Sequence, residues 1–117
     1  MCMNFGSWWA PPGKPYVEYI KSCASAVIGQ LSPLGQSAAL VGVTPMIGVN
    51  DLETEIFTLS DAQTLVKWAN GEPKIGFISS WSLNRDIKYP SGGDISLDQS
   101  SHVNQNQYDF TRNLLLN

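Results

Sequence analysis

Few residues of this chain are placed by type and spacing to do chemistry, and they gather at the ends of three short apolar runs. Met3 and Asn4 close the run at residues 1–6. Met46, then Asn50 and Asp51, close the run at 40–48 and the turn behind it. Trp81 lies late in the run at 75–83. Taken singly, each has an ordinary structural role: Met fills core gaps, Asn-Asp makes an Asx turn, and Trp is a large core residue with a satisfied N–H. Gathered at one edge, they describe an apolar-floored cleft with a few amide and carboxylate groups. That is the make-up of a sugar site, since flat pyranose faces stack on aromatic rings while Asn and Asp pair with hydroxyl and acetamido groups.

Other chemistry is thinly represented. The phosphate-cradling GxxxxGK(S/T), the zinc-binding HExxH and the nucleophile elbow GxSxG are all missing. Cys2 and Cys23 allow one intramolecular pairing, but their spacing matches neither a metal knuckle nor a redox CxxC, so both read as small buried thiols. His102, the single histidine, lies in a polar stretch without partners for a metal site, so neither metal nor cofactor is expected. Seven Lys plus Arg against ten Asp plus Glu give a net charge of −3 with no basic run. That argues against nucleic-acid binding through phosphates and against a polybasic membrane anchor. No apolar stretch approaches the ~20 residues needed to span a bilayer. The N-terminus also lacks the charged-then-apolar pattern of a signal peptide.

The elements that must position the strand-end residues follow from periodicity. Residues 1–6 read as the last part of a buried strand, and a loop at 7–13 carries Trp8, Trp9 and Pro11-Pro12-Gly13. Val17, Ile20, Ala24, Val27 and Leu31 recur at helical spacing, with Pro15 suited to the first turn. The β-branched run at 40–48 predicts a strand covered on both faces, which Pro45 ends. A loop at 49–59 precedes a second helix, whose N-cap is read at Ser60 with Gln63 three residues on. Its buried stripe is Ala62, Leu65, Val66 and Ala69, and Asn70-Gly71 stops it. Residues 75–83 read as a third buried strand, 84–104 as polar loop, and 105–116 as a short helix with Phe110, Leu114 and Leu115 on its apolar side.

Alternation of strand and helix implies parallel strands joined by right-handed crossovers, an α/β architecture whose ligand edge is the C-terminal end of the strands. Hydrophobic residues at 43% and charged residues at 15% agree with a globular chain. Its 117 residues fit one domain, yet a closed eight-stranded α/β barrel needs about 200 or more. Three parallel strands leave two edges unpaired. The expectation is a piece of a larger parallel fold.

At the same residues a family resemblance emerges. Met1-Cys2-Met3-Asn4-Phe5-Gly6 resembles the sixth-strand motif of bacterial-type glycoside hydrolase family 18 chitinases, roughly M-x-M-(D/N)-(Y/F)-G. Val43-Thr44-Pro45-Met46-Ile47-Gly48-Val49-Asn50-Asp51 resembles their seventh-strand segment. Glu55-Ile56-Phe57-Thr58 and Asp61-Ala62, on to Ala69, are similar to the following helix. Ile75-Gly76, with Trp81-Ser82-Leu83-Asn84-Arg85-Asp86, is similar to the eighth strand, and residues 105–110 to the tail motif.

The resemblance implies that residues 1–117 are a C-terminal portion of a (β/α)8 TIM barrel, an incomplete barrel of three βα units spanning strands six to eight. It implies hydrolysis of β-1,4-linked N-acetylglucosamine polymers with retention, by the substrate-assisted route in which the substrate's own acetamido oxygen attacks. Chitin or chitooligosaccharide is the implied partner, besides the missing N-terminal part of the barrel. Trp81 matches the Trp that floors the subsite of the reacting sugar. Met3 and Asn4 match positions bordering the acetamido group, where many relatives carry Tyr-Asp. Met46 and Asn50 fall at wall positions. Trp8 and Trp9 either line a leaving-sugar subsite or stand as surface aromatics. The fourth-strand signature D-x-x-D-x-D-x-E, which carries the acid Glu, is not in this chain, so the acid is expected upstream and the isolated chain is expected to be inactive. Secretion is implied by an extracellular polymer substrate. The alternatives are a non-catalytic chitinase-like carbohydrate-binding protein and an unrelated α/β homodimer that pairs its open edges.

Overall fold

The computed structural model describes residues 1–6, 13–88 and 96–116. Helix α1 spans Tyr16–Leu31 and buries Tyr16, Val17, Ile20 and Ala24. Pro15 stands just ahead of it as the N-cap, with ψ at 141°, rather than inside the first turn. The expected stripe is closed only in its first half: Val27 is 47% exposed and Leu31 half-buried. All four buried residues of α1 lie in its first nine positions, and the helix packs against the sheet and the helix at Leu59–Ala69.

Strands β1 (Val41–Val43) and β4 (Ile75–Ile78) pair in parallel, with Val41 opposite Ile75, Gly42 opposite Phe77 and Val43 opposite Ile78. Two single parallel bridges extend the arrangement, Cys2 with Pro45 and Met46 with Trp81. The three expected strands therefore lie side by side, in chain order and in parallel. The first of them is reduced to one bridge, held by the Cys2 N–H donating to the Thr44 carbonyl at 2.8 Å.

Three expectations are corrected between the strands. The loop read at 49–59 contains a small antiparallel hairpin, β2 (Gly48–Val49) with β3 (Ile56–Phe57). Helix α2 spans Leu59–Ala69, and its N-cap is Thr58 rather than Ser60. The Asp61 carboxylate accepts from the Thr58 N–H at 2.8 Å, while Thr58 Oγ1 accepts from the Asp61 N–H at 3.1 Å. A carboxylate at N3 closes this reciprocal cap and also favours the positive end of the helix. Gln63, expected in a cap, reaches Asn113 instead at 2.9 Å. The third correction concerns coverage. Leu40 and Phe77 are 62% and 58% exposed, so neither long strand is buried on both faces.

The sheet alternates as extended chain must. Val43 and Ile75 face the helices and are buried, whereas Gly42 and Phe77 share the opposite face. There a Cβ on Gly42 would stand 2.1 Å from the Phe77 ring, so the aromatic ring needs glycine beneath it. The core lies on the helix side, where Ile20, Ile47, Phe57, Ala62, Leu65 and Phe110 are fully buried. Phe57 and Phe110 stack with ring centroids 6.1 Å apart. Helix α3 (Asp109–Asn113) is shorter than expected; Leu114 is buried behind it, while Leu115 is 65% exposed. No helix among the described residues is long and apolar enough to cross a membrane.

Candidate functional site

The strand register gathers the apolar members of the expected cleft. Met46 and Trp81 are direct parallel partners. The Trp81 N–H donates to the Pro45 carbonyl at 2.8 Å, and the Ile47 N–H to the Trp81 carbonyl at 3.0 Å. One step back on the same face, the Thr44 and Ser79 hydroxyls share a hydrogen bond of 2.6 Å. Cys2 belongs to the helix-side core, and Met3, the residue after it, lines the groove beside α1. Met46 is buried and Trp81 is 49% exposed. The result is an indole offered to solvent at the C-terminal ends of parallel strands, with a thioether packed beside it. The Trp81–Ser82 peptide bond is cis.

The polar members behave differently, because they tie the strand ends together. Asn4, in the left-handed conformation at φ 53°, donates to Asp51 Oδ2 at 2.8 Å and accepts from the Leu52 N–H at 3.2 Å. Asn50 is completely buried. Its Oδ1 accepts from the Tyr16 hydroxyl at 2.9 Å, and its Nδ2 donates to the Met46 and Gly48 carbonyls, each at 3.1 Å. Expected as a wall residue, Asn50 has its amide spent internally and shapes the wall from behind. Trp8 and Trp9 lie outside the described residues.

Two features escaped the sequence reading. Glu55, 6% exposed, accepts from the Phe5 and Gly6 N–H groups at 2.9 and 2.7 Å. These are charge-assisted bonds that close the end of the first strand. Burial, with the Glu55 charge beside it, pushes the Tyr16 hydroxyl well above the usual tyrosine range. No local spacing announces Glu55, whose partners are 49 and 50 residues away.

The second is the dipeptide Arg85-Asp86, at the end of the 3₁₀ turn Leu83–Arg85 and wholly buried. Arg85 donates to main-chain carbonyls: Nη1 to Ile47 at 2.7 Å, Nη2 to Val49 at 2.7 Å, and Nε to Ser100 at 3.2 Å and to Leu97. Burial holds its guanidinium below the ordinary arginine value, countered by Asp51 and Asp98. Asp86 accepts from Gln105 Nε2 at 2.6 Å, from the Phe110 N–H at 3.1 Å, and from the Thr111 N–H and hydroxyl at 2.7 Å. One residue thus clamps the Met46–Trp81 corner and the next holds the tail helix. The segment at 100–101 passes so close to Gly48, at φ +70°, that a Cβ there would lie 1.9 Å from the Ser101 carbonyl oxygen. The end of the expected loop is therefore core, with Ser100, Ser101 and Gln105 buried. The readable signal was an Arg-Asp pair directly after an apolar strand.

Beside the corner, a groove of about 670 Å³ runs between residues 3–5 and α1, bordered by Tyr19, Cys23 and Val27. It follows the unpaired edge rather than the strand ends. Among the described residues no three His, Cys, Asp or Glu side chains gather to hold a metal ion.

No family model matches the chain. Among curated proteins, it is 41% identical over 58 residues to the probable bifunctional chitinase/lysozyme of Escherichia coli (strain K12), covering 50% of this chain and 6% of that protein. It is 43% identical over 49 residues to Endochitinase 11 of Metarhizium anisopliae, covering 42% of this chain and 9% of that protein. Among solved structures, active domain 2 of the Pyrococcus furiosus chitinase superimposes with a TM-score of 0.77 at 33% identity. That match covers 97% of this chain and 37% of the domain. A second structure of the same domain, similar to the same degree, is complexed with chito-oligosaccharides. The chain thus spans little more than a third of the solved domains it matches and far less of the curated relatives. Over nearly its whole length it is a relative of chitinase catalytic domains of the glycoside hydrolase family 18 type.

Proposed function

We propose that the chain supplies strands six to eight of a (β/α)8 barrel that hydrolyses chitin or chitooligosaccharides, and with them part of the sugar-binding wall. The observation that carries this reading is the half-exposed Trp81 paired in parallel with Met46, in a chain matched over 97% of its length to a chitinase catalytic domain. Trp81 stacks on the face of the sugar being cleaved. Met3 and Met46 border the same subsite, and Asn4 hydrogen-bonds from its rim. Asn50 and Arg85 hold these residues in place from behind.

The general acid comes from elsewhere in the barrel. The carboxylates nearest the corner are engaged: Asp51 by Asn4, Glu55 by two main-chain amides, Asp86 by α3. None is left to protonate a glycosidic oxygen. Loss of a positioned general acid forfeits about 10²- to 10⁴-fold in rate, so the purified chain releases no chitooligosaccharides above background. A non-catalytic chitinase-like lectin differs only in what the rest of the barrel carries at the fourth strand. The polymer substrate places the whole enzyme outside the cell.

The test is a chimera in which this chain replaces the matched part of the Pyrococcus furiosus domain. Hydrolysis of chitooligosaccharides by the chimera, lost by at least about 10²-fold in Trp81→Ala, is the expected result. A folded chimera whose activity ignores Trp81→Ala would sink the assignment.

A further inference from the structure

Asn4 and Asp51 stand 47 residues apart in sequence, and the way they are joined decides what Asn4 can offer a sugar. Asn4 Nδ2 donates to Asp51 Oδ2 at 2.8 Å, and Asn4 Oδ1 accepts from the Leu52 N–H at 3.2 Å. A carboxylate on one side and a main-chain N–H on the other admit one orientation of the amide. Turned over, it would set oxygen against carboxylate and N–H against N–H. The backbone does not choose the residue, because at φ 53° asparagine and aspartate are both tolerated. Asp51 does choose it. An aspartate in place of Asn4 would put two carboxylates in contact, and these cannot both ionise. Nδ2 carries two hydrogens, and no hydrogen bond among the described residues uses the second. Asp51 itself is exposed, in the bend that follows Asn50.

We propose that Asp51 is a positioning residue: it locks the Asn4 amide so that its second N–H is presented, as a fixed donor, to an acceptor oxygen of the sugar. The inference rests on the sugar-cleft reading of the same corner. Asp51 acts through Asn4 and need not touch the substrate. A donor held in place before the ligand arrives costs no further ordering on binding. Without Asp51 the amide is free to turn over, and the donor is presented only part of the time.

Two readouts test this. In the native 117-residue chain, the Asn4 carboxamide NMR signals should be displaced from those of exposed asparagines, and Asp51→Ala should return them there. In the chitinase chimera, Asp51→Ala should raise KM roughly 3- to 10-fold with kcat within about 2-fold, as for loss of one hydrogen bond used equally throughout the reaction. Asp51→Asn keeps an acceptor for Asn4 Nδ2 and should restore KM to within about 2-fold of the parent. The decisive variant exchanges the two, Asn4→Asp with Asp51→Asn. It rebuilds the bond between the positions and the bond from Leu52, but leaves no amide donor at position 4. Melting temperature should therefore return to the parent value while KM stays raised; a purely structural tie would bring back both. A KM unmoved by Asp51→Ala, a KM restored in the exchange, or Asn4 signals that ignore Asp51→Ala would each overturn the proposal. Trp81→Ala, run alongside, separates two failures. A chimera indifferent to Trp81→Ala sinks the sugar reading and this inference together, whereas one that needs Trp81 but not Asp51 sinks this inference alone.

Discussion

The two faces of the short parallel sheet differ sharply. On the helix side Val17, Ile20, Val43, Leu65 and Phe110 are buried to within 2% exposure, and the buried polar groups behind the corner are hydrogen-bonded. On the other side Leu40, Phe77, Trp81 and Leu83 are between 49% and 62% exposed. Each forgoes part of the roughly 1.5–3 kcal/mol that full burial of such a side chain contributes. Both faces carry comparably apolar residues. The difference teaches that a βα unit closes its own outer layer, because each helix folds back on the strand next to it. Its inner layer waits for strands from farther away in sequence. The closed face carries the architecture, and the open face carries Trp81.

That contrast is easiest to break from the closed side. Arg85→Met removes the donor that five main-chain carbonyls share, those of Ile47, Val49, Trp81, Leu97 and Ser100, and a loss of about 3–5 kcal/mol in chemical denaturation is expected. Hydrogen exchange should show the Met46–Trp81 corner opening first.

Next comes alkali. Cys2 is raised from 9.0 to about 11 in the folded chain, and Tyr16 is also raised. A raised folded-state value means that the unfolded chain loses its proton first. The contribution is therefore fully present below about pH 9 and falls away as pH rises from 9 toward 11, with Tyr16 adding to the fall above about pH 10. One proton sets a ceiling of about 1.4 kcal/mol per pH unit. Cys2→Ala should flatten the 9–11 portion of a stability-against-pH curve; an unchanged curve would contradict the cause.

A smaller effect is expected at the second helix. Thr58→Ala removes the cap that Asp61 completes, costing about 1 kcal/mol, while Ser60→Ala costs only a few tenths. Equal losses would mean that the cap lies where sequence alone had put it. Smallest is the open face: Phe77→Ser should change the stability of this chain by less than about 0.5 kcal/mol while reducing its self-association in sedimentation. The same substitution in the completed chimera should cost several-fold more. That reversal would show directly that the face is a core awaiting its other half.

Local chemistry was legible wherever partners are near in sequence. The helix at 16–31 was visible from apolar spacing and the stop at Asn70-Gly71 from its residues, whereas Pro45 did not end the pairing, which continues through Met46. The N-cap was misplaced by two residues because Ser60 and Thr58 offer equivalent hydroxyls, and only the chain's path shows which one precedes the first turn. The hairpin at 48–57 was not legible at all, since each of its strands is two residues long and has no period to read. In the candidate site, Met46 and Trp81 could be placed at one edge from strand ends alone. The internal role of Asn50 could not, because it rests on Tyr16, 34 residues away.

Sequence by itself determined the alternation of strands and helices, the residues at the strand ends and the likeness to a chitinase barrel, because apolar period, turn chemistry and motif are short-range properties. Tertiary structure alone decided which face of the sheet is closed. It also decided that Glu55 and Arg85-Asp86 fasten the corner while Asn50 works from behind it. Buried polar groups must find partners wherever the fold brings them, and those partners lie tens of residues apart, beyond the reach of any local pattern.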